Sequence, residues 1–262
     1  MSSSLLRRHI FYVHAFSGSG PNARCLFSST SSLSFSSSLI RSNKCSSNPT
    51  DAFTSAIKSN ANWATLTAQN DPELFPRLAK GQSPRILWLG CSDSRCPETT
   101  ILGLKPGDVF VHRNIANVLH PADISFASVT EYAVVHLKVQ HVVLCGHTAC
   151  GGVNAALGNK KLGILDSWLL PLRRLREEHL GELEKFGDDD AGRALRLVEL
   201  NVLAGVRLLK ENGAILDAIQ ERGLQVHGVV YDVGTGKLRE IIGSGESQDA
   251  IQARLAAFKT TM

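Results

Sequence analysis

The chain has 262 residues, 43% hydrophobic and 20% charged, a composition that excludes a disordered or fibrous protein and suits one substantial core. Its formal charge of +4 is uneven: residues 1–50 hold Arg7, Arg8, Arg24, Arg41 and Lys44 with no acidic residue, which leaves 23 bases against 24 acids in the remainder. That near-neutral body argues against a nucleic-acid or membrane-surface partner recruited by charge, and no stretch reaches the roughly 20 apolar residues that span a bilayer.

Residues 1–50 contain 16 serines and scatter apolar residues among the bases in "LLRRHIFYVHAF". Arginine-rich, acid-free composition predicts an organelle transit peptide, and with it a mitochondrial matrix location, ahead of a single folded domain over residues 51–262. The competing reading is a serine-rich tail with no address. Of the six cysteines, Cys91, Cys96, Cys145 and Cys150 lie beyond that segment. In a reducing compartment, and near a histidine, they read as metal ligands or buried apolar residues before they read as disulfides.

Next, "DAFTSAIKSNANWATLTAQN" and "PELFPRLAK" have helical spacing and predict an N-terminal helical arm. Three short apolar runs follow, "RILWLG" (85–90), "DVFVHR" (108–113) and "HVVLCG" (141–146), separated by helical patterns, chiefly "ISFASVTEYAVVHLK" (124–138). Near-continuous apolar strands alternating with helices predict an α/β fold with a mostly parallel central sheet flanked by helices. From Leu165 to Gly223 the pattern is helical, with Pro171 expected to kink or restart it and "DDD" (188–190) marking a helix start. The stretch "LQVHGVVYDVGTGKLREI" then predicts a strand, a tight turn and a strand, and "DAIQARLAAF" a closing helix. "GTGK" (234–237) lacks the glycine spacing and following Ser or Thr of a phosphate loop, so it is read as a hairpin turn.

Two of the runs end in chemistry. "ILWLGCSDSR" delivers Cys91, Asp93 and Arg95, and "VVLCGHTACGG" delivers His147 and, three residues later, Cys150. The carboxyl ends of parallel strands line the ligand crevice of such sheets, where two thiolates and one imidazole make a zinc set with a fourth position left over. Taken singly, each cysteine also reads as a small buried residue and His147 as a strand-end histidine. Asp93 is placed either to accept a hydrogen bond beside the metal or to ligate it and close the site, with Arg95 keeping the carboxylate ionised.

"CSDSR" followed by "HTACGG" resembles a β-class carbonic anhydrase of fungal type. "GQSP", "PGDVFVHRNIAN", "EYAVVHLKV", "CGH" and "VHGVVYDVGTG" agree, from about Trp63 to Ile242. The resemblance implies reversible hydration of carbon dioxide to bicarbonate and a proton, with one Zn2+ per subunit on Cys91, His147 and Cys150 generating the nucleophilic hydroxide. It implies Asp93 and Arg95 as a catalytic dyad, with Asp93 a fourth metal ligand in a closed state. Gln82, Phe110, Ile115, Tyr132 and Gly151 would line the substrate pocket, and the helical arm would wrap a neighbour in a homodimer or homotetramer. Trp88, Arg113 and Tyr231 match residues that bind a regulatory bicarbonate in some members; the ordinary reading makes them core, interface ion pair and strand aromatic. Cys96 departs from the valine frequent in bacterial-like members. Two other readings keep the site: a hydrolase of carbonyl sulfide or carbon disulfide, and a non-catalytic bicarbonate sensor.

Overall fold

Residues 51–242 and 247–258 are described in this computed structural model; residues 1–50, where the transit peptide is expected, lie outside them. The arm comprises α1 (Ala52–Asn70) and α2 (Leu74–Ala79), after which come β1 (Ile86–Cys91), α3 (Glu98–Ile101), β2 (Val109–Asn114), α4 (Ile124–Glu131) and β3 (His141–His147). The helical region holds α5 (Gly151–Leu157), α6 (Ile164–Trp168), α7 (Leu170–Glu178), α8 (Leu180–Leu183), α9 (Asp190–Lys210) and α10 (Gly213–Arg222). β4 (Gln225–Asp232), β5 (Lys237–Ile242) and α11 (Gln248–Phe258) complete the chain.

The five strands form one sheet in the order β2-β1-β3-β4-β5, parallel except for β5, which returns antiparallel to β4. The runs at 85–90 and 141–146 become its central strands β1 and β3, because strands covered on both faces have no polar side to show, while the run at 108–113 forms the half-buried edge strand β2. On one face Leu87, Leu89, Val142, Leu144 and Val226 pack against Val202, Val206 and Leu209 of α9, Ile215 of α10 and Phe126 of α4. On the other, Trp88, Cys145 and Tyr231 cluster with Cys96, and Val111, Val143 and Val229 pack against them.

Local signals set the helix bounds. Asp189 caps α9 by accepting from the Gly192 N–H, so the "DDD" run does start a helix. Pro171 sits in the first turn of α7, restarting the helix where its missing N–H costs nothing. The helical pattern through residue 223 breaks at Asn212, whose side chain accepts from the Ile215 N–H, and ends at Gly223 in the left-handed conformation with φ 71°. The pattern over 124–138 does not run on as one α-helix: after α4 it widens into a π turn, Tyr132–His136. "GTGK" is the β4–β5 turn, with the Gly236 N–H bonded to the Asp232 carbonyl.

Candidate metal centre

Cys91 closes β1, His147 closes β3, and Cys150 precedes α5. β1 pairs with β3 only as far as Leu89 opposite Leu144, whereas β2 follows β1 to Asn114 opposite Cys91 and β4 follows β3 to Tyr231 opposite His147. The two central strands therefore part over their last residues, at the switch in strand order where open parallel sheets form a ligand crevice. Helix α9 can lie close behind β3 because residue 146 is glycine: a Cβ there would stand 2.6 Å from Val198 Cγ1 and 2.9 Å from Val202 Cγ2.

The ligand atoms of Cys91, His147 and Cys150 all lie within 4.8 Å of one another, and all three residues are buried. His147 Nδ1 is 3.0 Å from the Thr148 carbonyl oxygen, which places the ring N–H there and leaves the Nε2 lone pair for the interior. Nε2 is buried and has no hydrogen-bond partner among the described residues, a costly state that a bound cation resolves. Two sulfurs and one imidazole nitrogen at this spacing fit zinc, with three protein ligands and one further position.

The two thiols also prepare each other. A hydrogen bond from Cys150 lowers the Cys91 thiol to about 4, while that same bond and burial push Cys150 well above the usual thiol range. One proton is thus shared between two sulfurs, and a divalent cation supplies the charge that releases it.

Beside the ligands, Asp93 accepts from Arg95 Nε at 2.9 Å, from Nη2 at 2.7 Å and from the Arg95 backbone N–H at 2.9 Å. These bonds from Arg95 hold the Asp93 carboxyl well below the usual carboxylate range. Its Oδ2 lies 3.9 Å from His147 Nε2, so the carboxylate borders the metal pocket while both its oxygens face the guanidinium. Arg95 in turn donates to the Ala149 carbonyl at 3.1 Å, linking the β1 loop to the loop between His147 and Cys150.

Of the other residues singled out in the sequence, Ile115 borders Gly152 and so lies at the metal loop, as does Gly151, the first residue of α5. Gln82 lies ahead of β1, at the opposite end of that strand from Cys91, and is exposed. Phe110 and Tyr132 pack ring against ring, centroids 5.7 Å apart, with Phe110 opposite Leu87 early in the β1–β2 ladder. Within one protomer these three are not gathered at the metal group. Trp88 and Tyr231 are buried in one cluster. Arg113 donates from Nε to the Cys91 carbonyl at 2.7 Å and from Nη2 to the Asp93 carbonyl at 2.5 Å, and pairs with Glu98 3.6 Å from Nη1. Cys96 and Cys145 are buried apolar residues, as expected.

Sequence reasoning missed three contributors. The Ala116 N–H points at Cys91 Sγ at 3.3 Å, Asn201 of α9 donates to the Ala116 carbonyl, and Thr148 Oγ1 donates to Asp232 while accepting from the Val233 N–H. The one signal for Asn201 was a lone amide in the apolar run "LVELNVLAGV".

A family model described as carbonic anhydrase matches residues 86–238. A carbonic anhydrase of Emericella nidulans is 47% identical over 186 residues, covering 71% of this chain and 81% of the relative. The structure of the β-carbonic anhydrase CafA of Aspergillus fumigatus superposes with a TM-score of 0.77 at 60% identity, covering 80% of this chain and all of that one. One of two tetrameric β-carbonic anhydrases from Sordaria macrospora gives 0.72 at 54% identity over 74% of this chain and 98% of its own. The chain belongs to the carbonic anhydrase family, in its β class. It is a zinc-dependent carbonate dehydratase, interconverting carbon dioxide and bicarbonate.

Proposed function

We propose that Cys91, His147 and Cys150 hold the zinc, that Asp93 and Arg95 form the catalytic dyad, and that the enzyme works as a homo-oligomer in the mitochondrial matrix. The observation that carries the site assignment is the buried, unpartnered Nε2 of His147 facing two cysteine sulfurs beside an arginine-held carboxylate. When bound, zinc supplies a Lewis-acid centre at which water becomes a nucleophile near neutral pH.

The protein's own groups do the rest. Arg95 keeps Asp93 ionised and aimed along the edge of the metal pocket. Asp93 accepts a hydrogen bond from the attacking oxygen and so directs its lone pair at carbon dioxide, and the Ile115 side chain supplies apolar wall for that nonpolar substrate. Gly151, the first residue of α5, would offer its N–H to the oxygen on which negative charge gathers. Asp93→Asn is expected to retain zinc and lose roughly 10²-fold or more in stopped-flow carbon dioxide hydration. Full activity with zinc in place would remove Asp93 from the mechanism.

Oligomerisation is supported by the tetrameric Sordaria macrospora relatives and by α1, where Ile57, Trp63 and Leu66 are exposed. Such association would let a second subunit bring Gln82, Phe110 and Tyr132 to the pocket. The matrix location is supported by the acid-free, serine- and arginine-rich composition of residues 1–50. A reporter fused to residues 1–50 is expected in mitochondria, and a cytosolic reporter would contradict that address.

A further inference from the structure

Between β2 and the long loop that follows it, the backbone makes an unusual turn against the metal group. Ala116 has φ 60° and ψ 24°, and Asn117 has φ 45°, two successive non-glycine residues in the left-handed region. L-residues reach that region at a steric cost and stay there only when their surroundings hold them. Both are buried, with Ala116 wholly so.

The turn has one product of chemical interest: it aims the Ala116 N–H at Cys91 Sγ, 3.3 Å away. The carbonyl of that same residue is caught by Asn201 Nδ2 at 3.0 Å, from a helix 85 positions further along the chain. Asn201 is itself 6% exposed, a buried amide of α9 flanked by the buried apolar residues Leu197, Val198, Leu200 and Val202. Relaxation toward α5 is blocked because residue 152 leaves no slack: even a Cβ there would lie 2.8 Å from the Ala116 Cβ. The flanking carbonyls are held as well, Ile115 by Trp168 Nε1 and Val118 by Asn114 Nδ2, each at 2.9 Å.

An N–H directed at a thiolate draws electron density from the sulfur, and groups that orient metal ligands in this way tune the affinity and electronics of the site. We propose that Asn201 is a positioning residue of the metal centre: by gripping the Ala116 carbonyl it keeps a strained turn in place and so maintains the N–H···S bond to Cys91. Asn201 acts through the Ala116 carbonyl, which its side chain bonds. The inference rests on the reading of Cys91 as a zinc ligand.

The test uses the full-length protein loaded with zinc, and separately with Co2+, whose thiolate charge-transfer band in the near ultraviolet reports on the sulfur donors. Asn201→Leu is expected to release zinc to a chelator at least about tenfold faster than the parent protein, in the range found for groups behind metal ligands, and to shift the Co2+–thiolate band. Val206→Ala, a buried α9 truncation remote from the metal group, is the stability-matched control and is expected to move neither readout. Ala116→Gly removes the left-handed penalty and keeps the N–H; on that background Asn201→Leu is expected to cost much less, a coupling that simple loss of packing would not produce. If Asn201→Leu fails to fold, Asn201→Ala carries the same comparison. Zinc release and band position unchanged, or changed only as in Val206→Ala, would overturn the inference, whereas a parent protein with no thiolate band would overturn the ligand assignment beneath it.

Discussion

At Asp93, two atoms of Arg95 and one backbone N–H fix a carboxylate that free rotation would otherwise turn toward the metal pocket. Arg95 is half exposed, so this ion pair adds little to stability; its consequence is direction. The fork also closes on Ala149, whose φ of 54° turns its carbonyl toward the guanidinium. Cys96, two residues after Asp93's neighbour in the motif, behaves differently. Burial first, and the Asp93 charge second, raise its thiol to about 11. The folded protein therefore holds this proton more tightly than the unfolded chain does, so its contribution is intact below about pH 9, the ordinary thiol value, and is lost as pH climbs through about 11. Cys96→Val is expected to lessen the alkaline fall in melting temperature between pH 8 and 11; an identical fall in both proteins would contradict this. Residues contiguous in sequence, such as "CSDSR", were readable because two or three peptide units already bring their side chains together. Asn201 and Ala116 were not, since 85 positions separate them and only the packing of α9 on the sheet makes them neighbours.

Among the elements, β1 and β3 were readable because their buried runs admit no polar alternation, and the hairpin because its glycines admit little else. The break between α9 and α10 was hidden by an apolar rhythm that continues across it, and is decided by Asn212 capping a new helix. The π turn after α4 has no composition signature and was missed for that reason. Nor does any strand announce its neighbours: the order β2-β1-β3-β4-β5, and the parting of β1 from β3 that opens the crevice, follow from crossover packing. One contact shows how tightly the site depends on that packing. Gly146→Ala would drive a methyl group into Val198 and Val202, one residue before the proposed ligand His147. It is expected to destabilise the protein by about 1–3 kcal/mol in chemical denaturation, the usual cost of overpacking a core, and to lower zinc occupancy. Wild-type stability in this variant would show that α9 and β3 are not in such close contact.

For the whole molecule, one protomer gathers the proposed ligands Cys91, His147 and Cys150, the Asp93–Arg95 pair, Ile115 and Gly151, and leaves Gln82, Phe110 and Tyr132 away from them. Exposed apolar residues on α1 give the arm a surface that water does not favour. The proposed oligomer accounts for both observations, and light scattering of the zinc-loaded protein is expected to give a mass of at least two chains, whereas a monomeric, fully active enzyme would contradict it. Sheet order, metal group, family match and superposition all support the proposal that the chemistry sits at the parted ends of β1 and β3. X-ray absorption at the zinc edge of the purified protein probes that assignment without reference to turnover. It is predicted to show two sulfur scatterers at about 2.3 Å and lighter donors at about 2.0 Å, with the sulfur signal halved in Cys91→Ser. A shell of nitrogen and oxygen alone, or a zinc-free protein that hydrates carbon dioxide at full rate, would contradict the assignment.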